Sequence, residues 1–202
     1  MESIDYKILK SLKKRGRGTV FYADEYAHYA NPNRVRKALE QLTKAGQIIR
    51  VARGMYCFPK KDKLFGTGYL LPSFDDVAVA IAKRDGARIV PTGVHALNRV
   101  GLSTQLPMNF VYLTDGKSRK VTLLDGHSLQ FIHTSPKNLQ FHNQQAMIIT
   151  FALKEIGKNN LTDEQVEHIV RLLKTEGKDK IMQDIALMPD WIQNIVQQAY
   201  YD

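Results

Sequence analysis

Residues 33–44 hold Asn33, Arg34, Arg36, Lys37, Gln41 and Lys44, side chains that bond base edges and phosphates. An amide offers adenine a paired donor and acceptor, and a cation reaches guanine or a phosphate oxygen, so the set suits duplex recognition. Val35, Ala38, Leu39 and Leu42 recur among them at helical spacing and make one apolar stripe. At about 100° per residue, Asn33, Lys37 and Lys44 fall nearly opposite that stripe, with Arg34, Arg36 and Gln41 on its flanks. Glu40 is the one acid in the window. Arg50 and Arg53 follow on two short β-prone runs, Gln47–Val51 and Gly54–Phe58, where a wing would meet the flanking phosphates. A soluble helix with a solvated basic face has the same pattern, and the helix alone does not separate the two readings.

The distribution of charge separates them better. The chain carries 29 Lys and Arg against 20 Asp and Glu over 202 residues. Residues 1–63 hold 15 of the cations and 6 of the acids, so the whole excess of +9 lies there, and residues 64–202 balance. Clustered cations bind polyanions by releasing condensed counterions, so this asymmetry is the footprint of a nucleic-acid partner.

Other chemistry is poorly represented. His127, His133 and His142 match no metal-ligand spacing and have no acid at a helical offset, so no metal is expected. Cys57 has no histidine near it in sequence and reads as a packing residue, with no internal disulfide available to a lone cysteine. Gly66-Thr67-Gly68 lacks the preceding strand and following lysine of a phosphate loop. Asp75-Asp76, Asp115 and Asp125 read as a helix cap and turns. The expectation is a protein without cofactor and without catalysis. An enzyme acting on nucleic acid through His127 or His133 is the minority reading. No run of about 18 apolar residues offers a membrane span, and the start of the chain lacks a secretory core, so a cytoplasmic location is expected.

The elements that must position these side chains follow in order. Glu2–Lys14 reads as a helix, Thr19–Phe21 as a short strand, and Asp24–Tyr29 as a brief helix. Asn31 and Pro32 open the basic helix as cap and first residue, and Gly46 closes it in the left-handed conformation. Helix, strand, helix, helix and two strands make a winged helix-turn-helix over residues 1–60. Residues 61–72 read as a linker, with Leu64, Phe65, Tyr69, Leu70 and Leu71 apolar enough to dock it.

Residues 73–138 then form an α+β module. It has a Ser73-capped helix, a strand at 87–90, a helix at 92–100 and a three-stranded antiparallel meander, 110–114, 119–124 and 128–133, turned at Asp115-Gly116 and Asp125-Gly126. Residues 139–202 are a helical tail with a Thr162/Gln165 capping box. Its final apolar face (Trp191, Ile192, Ile195, Val196, Ala199, Tyr200) suits either a core or a partner chain. The fold class expected is α+β.

Gly46-Gln47-Ile48-Ile49-Arg50, Arg53-Gly54-Met55-Tyr56 and the stretch from Pro91-Thr92-Gly93 to Gly101-Leu102-Ser103-Thr104-Gln105-Leu106-Pro107 give the chain a family likeness. Over roughly residues 5–135 it resembles the AbiEi-type antitoxins of abortive-infection (type IV) toxin–antitoxin systems. The resemblance implies a winged helix that represses its own operon at inverted repeats, with paired copies on double-stranded DNA. It places the basic face on Arg34, Arg36, Lys37, Arg50 and Arg53. It also implies a C-terminal portion that counters a nucleotidyltransferase toxin, although the tail after Leu139 is the part least matched. The alternative is a winged-helix regulator or protein-interaction adaptor with no toxin.

Overall fold

Lysines alternate with Ile4, Ile8, Leu9 and Leu12 to give α1, Ile4–Arg15, whose Ile8 and Leu12 are fully buried. The computed structural model describes residues 2–62 and 68–201, and among these the chain is α+β, with eight α-helices and three sheets. It divides into two units: Met1–Arg84 with Val121–His127, and Asp85–Lys120 with Ser128–Asp202. The Ser73-capped helix, read from sequence as the start of a second module, falls in the first unit as far as Arg84.

In the first unit β1 (Thr19–Tyr22), a 3₁₀ turn (Ala23–Tyr26) and α2 (Pro32–Lys44) follow α1. β2 (Ile49–Ala52) and β3 (Met55–Phe58) come next, and the sheet has the antiparallel order β1-β3-β2. The brief helix expected over 24–29 is this single 3₁₀ turn, held by the Tyr22 N–H donating to Glu25 Oε1 at 2.6 Å. Phe21 packs edge-on to Tyr26 at 5.6 Å and stacks with Tyr56 at 5.8 Å, joining the sheet to the helices. Around the segment read as a linker, β4 (Lys60–Lys61) pairs antiparallel with β5 (Tyr69–Leu70). Leu64, Phe65, Gly66 and Thr67 lie outside the described residues. α3 (Phe74–Asp85) opens on Ser73 and Asp76, which cap each other's backbone N–H at 3.1 Å.

The second unit contains β6 (Ile89–Thr92), α4 (Gly93–Arg99) and β7 (Asn109–Thr114). β8 (Arg119–Thr122), of which Arg119 and Lys120 fall in this unit, and β9 (Ser128–His133) complete a sheet of order β6-β7-β9-β8, in which β7 pairs antiparallel with β6 and parallel with β9. The expected meander is therefore incorrect: β9 lies between β7 and β8. β8 is polar and largely exposed, which suits an edge. β9 must bury Leu129 and Phe131, and Phe131 stacks on Tyr112 of β7 at 5.7 Å. Nor is Asp115-Gly116 a tight hairpin turn, because neither residue takes the positive φ such a turn demands. Asp115 instead accepts from the Arg88 backbone N–H at 2.7 Å and from Arg88 Nε at 2.8 Å. Gly101 is required where it stands. Its φ is +75°, and an added Cβ would lie 3.2 Å from His168 Nε2, which donates to the Val100 carbonyl at 2.7 Å.

α5 (Gln144–Ile156) is buried along most of its length, as suits a central helix. α6 (Asp163–Lys174) carries the predicted capping box, with Gln165 N–H on Thr162 Oγ1 at 3.3 Å. α7 (Lys178–Met182) precedes α8 (Asp190–Tyr201), whose Ile192, Ile195, Val196 and Ala199 are buried in the unit's own core. Of the two readings left open for that face, the structure assigns it to the core.

Asp184 is fully buried and accepts from the backbone N–H groups of His142 (2.9 Å) and Asn143 (2.7 Å), fixing the chain just before α5. Removing the carboxylate strands both donors. Asp184→Ala is therefore expected to cost about 2–4 kcal/mol in urea unfolding. A loss within about 0.5 kcal/mol would show that water replaces the carboxylate at no cost.

Candidate nucleic-acid interface

α2 forms where it was expected because its start and stop are both supplied locally. Asn31 Oδ1 accepts the Arg34 N–H at 3.0 Å, Pro32 occupies the first turn, and Gly46 turns the chain with φ +65°. Val35, Ala38, Leu39 and Leu42 are buried, and α2 packs on α1 and the 3₁₀ turn. The remaining face has nowhere to go but outward. Asn33, Arg34, Arg36, Lys37, Gln41 and Lys44 are all exposed, as are Arg50 on β2 and Arg53 in the turn that follows it.

The eight are not equivalent. Arg36 donates to Asn33 Oδ1 at 3.3 Å, and Lys44 Nζ pairs with Glu40 Oε1 at 2.9 Å one helical turn back. Among the described residues Arg34, Lys37, Arg50 and Arg53 have no side-chain partner, so their charge is available to a ligand. The Lys44 hydrogen bond and charge, helped by Arg36 and Lys37, hold the Glu40 carboxyl below its usual range, a sign of the positive potential on this face. Arg50 faces Tyr56 across the β2–β3 ladder, which shifts register between Arg50 and Ala52. No side-chain hydrogen bond or ion pair joins the hairpin arginines to the α2 set among the described residues.

Two further cations near the start of the chain are committed internally. Arg15 pairs with Glu25 at 2.7 Å, and Arg17 donates to the Pro59 carbonyl at 2.9 Å with its guanidinium 4.6 Å from the Phe58 ring centroid. Sequence reading left their role open, and their partners are structural. It passed over Lys60 and Lys61, exposed on β4 just after β3, because Pro59-Lys60-Lys61 reads as linker punctuation.

The histidines do not converge on a metal. Among the described residues no group of three His, Cys, Asp or Glu is placed to hold one. His127 lies against the Phe74 ring at 4.8 Å, His133 Nδ1 is 2.9 Å from the Gly116 carbonyl, and His142 Nδ1 is 3.0 Å from Asp184.

A family model described as a family of unknown function, DUF6088, matches residues 7–181. The chain belongs to that family. The DUF6088 match runs from within α1 to α7, so it takes in both units. No curated protein matches the chain. Among solved structures the chain is similar to the RV2827C protein from Mycobacterium tuberculosis, with 12% identity, 93% of this chain and 72% of that chain covered, and a TM-score of 0.44. That likeness is too distant to bear on fold or function.

Cys57 sits at the centre of the three-stranded sheet, buried, and desolvation followed by the Asp76 charge pushes its thiol up to about 11. At pH 8 it is a protonated packing group. Iodoacetamide should alkylate the folded chain more than about a hundredfold more slowly than the urea-unfolded chain. Equal rates would mean that the sheet opens readily or that the thiol is accessible.

Proposed function

We propose that the first unit is a winged helix-turn-helix that binds double-stranded DNA, with α2 in the major groove and the β2–β3 hairpin as the wing on the flanking backbone. The observation that carries this reading is the exposure of all eight predicted contact residues in the segment holding the chain's whole positive excess. Arg34, Lys37, Arg50 and Arg53, free of internal partners, supply phosphate contacts. Asn33 and Gln41 supply base contacts at the N-terminal and middle turns of the helix.

The resemblance to AbiEi-type antitoxins extends this to a transcriptional autorepressor acting at inverted repeats in its own promoter. The second unit would then counter a cognate nucleotidyltransferase toxin. That second half rests on the resemblance alone. The electrically balanced residues 64–202 are at least suited to a protein partner, since they add nothing to polyanion affinity.

Arg34→Ala with Lys37→Ala tests the DNA half, because both side chains are exposed and removable without touching the core. In a gel shift on the chain's own promoter the double variant should bind about tenfold or more weakly. Its plot of log affinity against log salt should be shallower by about two. Unchanged affinity and slope would remove α2 from the interface. Coexpression with a nucleotidyltransferase encoded beside the gene should relieve its toxicity, and undiminished toxicity would remove the antitoxin half.

A further inference from the structure

Behind β2 the first unit contains a cavity of about 460 Å³, large enough for a small organic ligand and walled mainly by apolar side chains. Its floor includes Val77, 1% exposed, and Leu123, 6% exposed. Its lining also includes Leu71 and Leu124, which are 66% and 64% exposed and present bare aliphatic surface to water. The walls are preformed. The Leu124 N–H donates to the Val51 carbonyl at 3.0 Å beside the register shift in β2, and Phe74 is seated against His127.

Two charged residues border the cavity, and they differ in what remains to them. Asp125 is occupied, accepting the His127 backbone N–H at 3.1 Å with His127 Nδ1 3.3 Å from its other oxygen. Arg50 has no side-chain partner among the described residues. An apolar chamber with one uncommitted guanidinium matches a small molecule with an apolar body and a single carboxylate.

We propose that this cavity binds a small apolar monocarboxylate and that binding turns Arg50 from nucleic acid to ligand. The ligand site stands on the cavity and Arg50 alone. Its effect on DNA rests on the function proposed above. Linkage makes the effect reciprocal, so a ligand that competes for Arg50 weakens DNA binding and is itself weakened by DNA.

Octanoate is the probe, with octan-1-ol and octylamine as controls of equal chain length, titrated into the full chain without DNA and followed by leucine and valine methyl NMR. Octanoate should bind at least about tenfold more tightly than either control. It should shift the methyl groups of Val77, Leu123 and Leu124. Arg50→Gln should abolish the preference over octan-1-ol, and Leu124→Trp, at the exposed edge, should weaken all three. Equal binding of the three probes, or shifts centred elsewhere, would overturn the site. In a second arm octanoate should lower affinity for the promoter duplex in the parent chain and not in Arg50→Gln. Ligand binding with no effect on an otherwise normal gel shift would overturn the coupling while leaving the site. Absence of DNA binding altogether would overturn the coupling together with the DNA-binding function, and the first arm would still decide the cavity.

Discussion

Burial of Val35, Ala38, Leu39 and Leu42 decides which way α2 faces. Each large apolar side chain removed from water contributes about 1.5–3 kcal/mol, so rotating the helix by half a turn would lose most of that and bury cations instead. α1 and the aromatic cluster of Phe21, Tyr26 and Tyr56 provide the surface on which the stripe rests. The outward side of α2 is therefore imposed by the core. The side chains at these exposed positions are mainly amides and cations, and the single acid, Glu40, is tied to Lys44.

The second unit is organised around different constraints. A parallel pair, β7 with β9, sits beside the antiparallel β6, and most of α5 is buried with the inward faces of α6 and α8. Several polar groups inside it are paired: Thr150 bonds back to the Ala146 carbonyl, Tyr200 to the Leu173 carbonyl, and Asp184 collects the backbone ahead of α5. Such groups specify one arrangement, because any other would strand them.

The first unit was largely legible in the sequence because its signals are local. Asn31, Pro32 and Gly46 delimit α2 through their own backbone preferences, and the stripe reads at helical period. Ser73, Thr162 and Gln165 announce caps for the same reason. The order of the second sheet was not legible. Which strand lies beside β7 depends on long-range burial of Leu129 and Phe131, and Asp115-Gly116 looks like a hairpin turn while serving Arg88. The candidate contact residues were readable as types, and their exposure followed from the stripe. That Arg15 and Arg17 are spoken for, and that Arg50 borders a cavity, required coordinates, because Glu25, Pro59 and Leu123 are distant in sequence or carry no motif.

If the exposed side of α2 lies against a duplex as proposed, amide chemical-shift mapping of the full chain with its own promoter duplex will register it. The largest changes are expected at residues 31–44 and 50–54, fading as salt is raised, with α5, α6 and α8 nearly unmoved. Changes concentrated in the second unit, or an unchanged spectrum at a duplex concentration that saturates known groove-binding helices, would contradict it.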